Sequence, residues 1–283
     1  MVKQIISCSR RTDIPAFYYD WLQEVLKKGE IEKRNVKFPD VVYRYDLNPE
    51  AVKCIVLWSK NFDNVAKNPG VLKDYNLIFN YTITGYSKVL EPNVPNYKES
   101  INTIEKLLKT YRPEQIRPRF DPIILSLEGE VNPTPEKIGK ARLNQFEMTC
   151  RDLSSLGINN LTFSFLDLYP HVRKRLSDAN FNFIDMNDNL KIRFTEKLYD
   201  ISRKYNVDLF SCADSLIESV PGINKGHCID AKLIRELFPS DDKISGAKDS
   251  SQRKACGCAK SVDIGGYLEC NHKCIYCYQK TSF

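Results

Sequence analysis

Histidine is scarce in this chain: His171, His227 and His272 are the only three among 283 residues. No Gly-rich loop that would cradle phosphate occurs either, so a histidine-centred hydrolase and a nucleoside-triphosphate enzyme are both poor readings. No apolar run approaches the ~20 residues that a membrane span requires. The start, MVKQIISCSRR, lacks the long apolar stretch and small-residue cleavage site of a secretory signal. A soluble cytoplasmic protein with no membrane partner is therefore expected. No block of five or six like charges interrupts the 42 basic and 36 acidic residues, and the formal charge of +6 describes a mildly basic, solvated surface. Charge alone names no partner. Nucleic acid stays open as one, although no basic stripe with interleaved aromatics singles it out.

What the chain has in quantity is cysteine, ten residues in all. Disulfides are rare in a reducing compartment, so the thiols need another reason.

Short β-rich runs alternate with amphipathic helical stretches, the rhythm of an α/β fold with a parallel sheet. Six runs stand out: KQIISCS near Ile5, KCIVLW ending at Trp58, NLIFNYTIT ending at Thr84, QIRPRF ending at Phe120, NLTFSFL ending at Leu166, and VDLFSC ending at Cys212. DVVYRYD around Val42 reads as an extra or edge strand. Helical stripes lie between them. Phe17, Trp21, Leu22, Val25 and Leu26 share a face before Gly29 offers a stop, and Ile101, Ile104, Leu107, Leu108 and Tyr111 make a second stripe. Leu143, Phe146, Cys150 and Leu153 form a third, and Leu190, Phe194, Leu198 and Ile201 a fourth. NPTP, from Asn132, reads as a loop entering a helix at Pro135. After Pro239 the composition changes: SDDKISGAKDSSQRK is polar and aperiodic, and five of the ten cysteines follow it. The expected division is a main domain over 1–238 and a linker with a cysteine-rich, cluster-binding tail over 239–283.

The core of that tail is Cys270-Asn-His-Lys-Cys274-Ile-Tyr-Cys277, a C-x3-C-x2-C spacing. Three thiolates on one loop can each bond one iron of a four-iron four-sulfur cube and leave the fourth iron open. A zinc ribbon or knuckle is the competing reading, with His272 or an upstream cysteine as fourth ligand. The spacing, with Tyr276 just before the last cysteine, resembles the radical S-adenosylmethionine (radical SAM) signature. That resemblance implies SAM chelated on the open iron, reductive cleavage of its sulfonium, a 5'-deoxyadenosyl radical that abstracts hydrogen, and an electron donor such as flavodoxin or ferredoxin. It also implies that the six βα units form a partial (β/α)6 TIM-type barrel. The motif stands at the C-terminus, whereas the strand-one loop, SCSRRTDIPAFY, holds only Cys8. Over nearly its whole length the chain resembles the family of domain of unknown function 1848, through SRRTDIPAFY at Ser9, WSKN at Trp58, EPNVP at Glu91, RFDPIIL at Arg119, SFLDLY at Ser164, QRKACGC and DIGGY. That family implies the fold and the cluster together and no reaction.

Cys256 and Cys258 flank Gly257, Cys212 ends the sixth run and Cys228 lies in GHCID. Together they make a candidate second metal site, iron–sulfur or zinc; Cys212 as a small buried hydrophobe is the alternative. Cys54 and Cys150 lie on apolar faces and read as core. The runs carry polar residues at one consistent end: Arg10, Arg11 and Asp13; Lys60 and Asn61; Tyr86; Arg119 and Asp121; Ser164 and Asp167; Asp214. Such a set suits a catalytic mouth. Under the radical SAM resemblance Arg10, Arg11, Lys60 and Arg119 are candidates for the SAM carboxylate or an anionic substrate, and Asp121 and Asp167 for the ribose hydroxyls. Taken singly, Asp13 also reads as a helix cap and Arg119 with Asp121 as an ion pair. Two further readings stay open: an iron–sulfur enzyme that uses SAM without radicals or its open iron as a Lewis acid, and a zinc-stabilised binding protein.

Overall fold

The six apolar runs are the long strands of one sheet, and the runs between them are helices. The computed structural model describes residues 2–34, 38, 40–126, 135–266 and 268–279. β1 (Gln4–Cys8) is followed by α1 (Ile14–Phe17) and α2 (Tyr19–Lys28). Gly29 ends α2 in the left-handed region at φ 73°, where a side chain would also collide with Asn48. β2 (Glu30–Arg34) and β3 (Val42–Asp46) then form an antiparallel hairpin outside the main sheet, which accounts for the run around Val42. The chain continues through β4 (Val52–Ser59), α3 (Asp63–Lys67), β5 (Leu77–Thr82), α4 (Tyr97–Leu107), β6 (Ile116–Ile123), β7 (Leu125–Ser126), α5 (Pro135–Ser155) and β8 (Asn160–Phe165). It ends with α6 (Pro170–Asp178), β9 (Phe183–Ile184), α7 (Asp188–Lys204), β10 (Asp208–Ser211), α8 (Ser215–Glu218), β11 (Asn224–Lys225), α9 (Ala231–Leu237) and β12 (Val262–Asp263). α5 begins at Pro135, as its sequence suggests; Asn132 to Thr134 lie outside the described residues.

The main sheet has eight strands in the order β11-β10-β8-β6-β5-β4-β1-β12, with every neighbouring pair parallel. The six long strands stand side by side in chain order, so every crossover between them runs the same way. No described pairing joins β11 to β12, so the sheet is open rather than a closed barrel.

The pleat sends alternate residues to two faces with different partners. Ile6, Ile55, Leu57, Phe79, Tyr81, Phe120, Phe163 and Leu209 meet Leu22 and Leu26 of α2, Ile104 and Leu107 of α4, Phe146, Cys150 and Leu153 of α5, and Phe194 and Leu198 of α7. Each such fully buried side chain contributes roughly 1.5–3 kcal/mol. On the other face Ile5, Cys54, Val56 and Ile78 meet Ile229, Ile234 and Leu237 around α9 and, from the tail, Ile244, Cys258 and Ala259. Cys54 and Cys150 are thus core, as their apolar surroundings in the sequence suggest.

The segment after Pro239 makes backbone contacts with the sheet. Lys243 bridges Val2 and accepts from the Lys3 amide, Ile244 is buried, and β12 adds an eighth strand beside β1. Most of its polar side chains are exposed, while its backbone pairs partly with the sheet and partly with itself, as between Lys248 and Ala259, which hydropathy does not record. Among the described residues no helix is long and apolar enough to cross a membrane.

Candidate functional site

In a parallel sheet the carboxyl ends of all strands open on one edge, and their following loops meet there. The tail crosses this edge, so segments remote in sequence are brought together. Asp13, after β1, is the first hub. It caps α1 by accepting from the Ala16 amide at 3.1 Å, and also accepts from Ser59 Oγ at 2.7 Å and the Lys60 amide at 2.8 Å. Its Oδ2 lies 2.8 Å from His272 Nε2. His272, between the first two cysteines of the tail motif, is 2 % exposed, packs edge-on against Phe17, and turns its other nitrogen to the Asn93 carbonyl. The ring the sequence offers to zinc is thus a strut that locks the loop to β1 and to EPNVP. Asp13→Ala is expected to cost about 3 kcal/mol in urea unfolding, because it removes a cap and leaves several buried donors unsatisfied. Asp13→Asn, which keeps the cap oxygen, should cost less.

Tyr276 is the second hub. Lys60 Nζ donates to Glu91 Oε1 at 2.8 Å and to Tyr276 Oη at 2.9 Å, Tyr276 itself donates to Glu91, and Thr84 donates to Glu91 Oε2 at 2.6 Å. Burial works against the charge on Lys60, yet the neighbouring Glu91 holds its pKa above the ordinary value; the pairing likewise holds Glu91 low against its own burial. Tyr86 meets the Tyr276 ring edge-on, and Arg142 lies over the Tyr86 ring at 4.1 Å. Cys274 and Tyr276 pack among Leu90, Val94, Ile124, Val172 and Leu176.

The three sulfurs of the motif are individually provided for. Cys277 Sγ accepts from the Gln279 amide at 3.4 Å, and Cys270 is held against burial by the polar backbone of His272 and Asp13. Burial pushes the Cys270 thiol up to about 11 and Cys274 higher still; Lys60 opposes this at Cys274, and Arg175 feels Cys277 and Cys274. Arg175 also donates to the Cys277 carbonyl. Lys273 turns the loop with φ 53°.

DIGGY contributes a third hub. Asp263 accepts from Ser7 Oγ, Ser9 Oγ and the Arg10 amide, and Gly265 is required because a Cβ there would stand 2.1 Å from Ser9 Oγ. Thr12 and Tyr18 bond the carbonyls of Gly266, Leu268 and Glu269, and Tyr278 donates to the Arg10 carbonyl at 2.5 Å.

The candidate SAM contacts divide into separate groups. Lys60 alone stands beside Cys274. Arg10 and Arg119 both lie over the Trp58 ring, 5.7 Å from its centroid, next to the other cysteines. Arg119 pairs with Asp121, which also accepts from Ser164, so the ion-pair reading of Arg119 and Asp121 describes their contact. Asp167 is exposed and pairs with Arg253 at 2.8 Å, Asp214 caps α8, and the Arg11 charge is felt by Lys33. Cys212 Sγ and Cys228 Sγ stand 3.8 Å apart, Arg119 Nη1 reaches Cys228 Sγ at 2.8 Å, and Cys228 and Cys256 pack against the cluster that buries Cys258. Among the described residues no group of three or more histidine, cysteine or carboxylate side chains is gathered closely enough to hold a metal ion as it stands. Glu91, Thr84 and Asp263 carry no motif logic of their own; they become visible only where EPNVP and DIGGY meet the cysteine loop.

Residues 5–279 match the family model described as a domain of unknown function, DUF1848. No curated protein matches the chain.

Proposed function

The chain belongs to the DUF1848 family, and from its site geometry we propose that it is a radical SAM enzyme whose cluster is held by Cys270, Cys274 and Cys277. The observation that carries this reading is the commitment of His272 to Asp13 and Asn93, which leaves a three-cysteine loop without the nearby fourth ligand a zinc knuckle needs. The donor set fits three cluster ligands: the Gln279 amide donates to Cys277 Sγ, and the Lys60 and Arg175 cations beside the loop would offset the charge that ligation places on the sulfurs. Bound there, a four-iron four-sulfur cluster with SAM on its open iron would supply one-electron cleavage and a radical that takes hydrogen from a substrate. The protein's own part is positioning and shielding. Lys60, kept charged by Glu91, holds the Tyr276 hydroxyl, and Tyr86 and Leu90 keep water from Cys274. We read the open sheet as a partial barrel, with loops that face a substrate and a cytoplasmic electron donor of the flavodoxin or ferredoxin kind.

The test is anaerobic purification, reconstitution with iron and sulfide, reduction by dithionite, and measurement of 5'-deoxyadenosine from SAM. About four irons at the 270–277 loop with cleavage are expected. Iron without cleavage would turn the reading to non-radical or Lewis-acid chemistry, and zinc on the loop would overturn both.

A further inference from the structure

We propose that Cys212, Cys228, Cys256 and Cys258 form a second metal site, distinct from the 270–277 loop, which takes one zinc ion in tetrahedral thiolate coordination. Zinc–sulfur bonds of about 2.3 Å set at tetrahedral angles separate neighbouring sulfurs by about 3.8 Å. The Cys212 and Cys228 sulfurs stand 3.8 Å apart. A disulfide would need them at about 2.04 Å, and thiolates on different irons of a cube stand much further apart. Beyond that pair, Cys228 and Cys256 pack against the cluster that buries Cys258, and the Ala259 amide next to Cys258 donates to the Ile229 carbonyl next to Cys228, so all four thiols lie in one region. The thiols are not yet closed on a common centre. Binding replaces their protons: one divalent ion plus four thiols gives a dianionic tetrathiolate and releases four protons to solvent.

Backbone contacts already fix the chain segments that carry the sulfurs. The Cys212 amide donates to the Phe163 carbonyl at 3.1 Å, and the Cys228 carbonyl accepts from Asn80 Nδ2 at 3.0 Å. The Cys258 carbonyl accepts from the Asp249 amide, and the next amide, of Ala259, donates to Ile229. Two glycines let these segments approach. A Cβ on Gly226 would stand 2.4 Å from the Ser211 carbonyl, and one on Gly257 would stand 2.6 Å from the His227 ring.

Charge supplies an independent argument. Arg119, 5 % exposed, donates to Cys228 Sγ, while Arg10 acts on Cys258 and has its Nη2 buried without a hydrogen-bond partner. Each guanidinium has a carboxylate partner, Arg119 with Asp121 and Arg10 with Asp249, and their positive charge beside the sulfurs also suits a dianionic tetrathiolate.

The experiment begins with the Cys270→Ala, Cys274→Ala, Cys277→Ala triple variant, so that its result does not depend on the radical SAM reading. About one zinc per chain is expected after purification, and cobalt exchanged for it should give the visible bands of a tetrahedral thiolate site. Adding Cys256→Ser and Cys258→Ser should abolish zinc binding, whereas adding Cys54→Ala should leave it intact. Zinc competition against a chromophoric chelator on the wild-type chain provides a second measurement that needs no variant to fold. Absence of tight zinc binding, or iron and acid-labile sulfide held by these four cysteines, would overturn the proposal.

Discussion

Cys274→Ala is expected to give a folded chain that retains no cluster at the 270–277 loop and produces no 5'-deoxyadenosine from SAM. Cys274 is the middle ligand of the motif and its most buried, 6 % exposed among Leu90, Val94 and Ile124. Two remaining thiolates cannot hold a cube that needs three. The fold itself should lose only about 1 kcal/mol, the usual scale of a point substitution. Cys150→Ala is the matched control, since it removes an equally buried thiol from the helix side of the sheet, far from the loop in the fold. It should cost comparable stability in urea and leave iron and turnover unchanged. If Cys274→Ala kept its iron, or Cys150→Ala lost it, the assignment of the loop as the cluster site would fail.

Glu91→Gln should be the most destabilising single change at the mouth, by about 3–5 kcal/mol, the cost of leaving one partner of a buried ion pair uncompensated. The Glu91 side chain is 3 % exposed and that of Lys60 is 16 % exposed. Lys60→Met with Glu91→Gln should recover much of the loss, and the double-mutant cycle measures the coupling. Because the folded pKa of Glu91 is lowered, its contribution is complete above the unfolded value of about 4.3 and disappears as pH falls through the folded one. Lys60 is raised, so its share is complete below about 10.4 and is lost only as pH rises beyond that. Glu91→Gln should therefore flatten the acid limb of the stability curve. Tyr276 would also lose its tether, and the reconstituted iron should pass to a chelator faster than in the wild type. Unchanged urea midpoints and iron release would remove this network as the anchor of the loop.

The strands and the helix stripes are legible because each is a local periodic signal. Phe146, Cys150 and Leu153 repeat at helical spacing, Gly29 stops α2, and β4 reads as a run of apolar residues because both faces of a parallel strand are covered. β11 and β12 pass unnoticed, since two-residue strands have no period to detect. The pairing of Lys243 with Val2 and of β12 with β1 leaves no periodic trace in the polar tail.

The sequence by itself determined which residues could ligate metal, for C-x3-C-x2-C is a statement of spacing along one loop. Only the tertiary structure decided what surrounds them. His272 meets Asp13 across 259 residues, and Tyr276 meets Glu91 across 185. Contacts at such separations arise when parallel strands bring their carboxyl ends to one edge, and no window of neighbouring residues contains them.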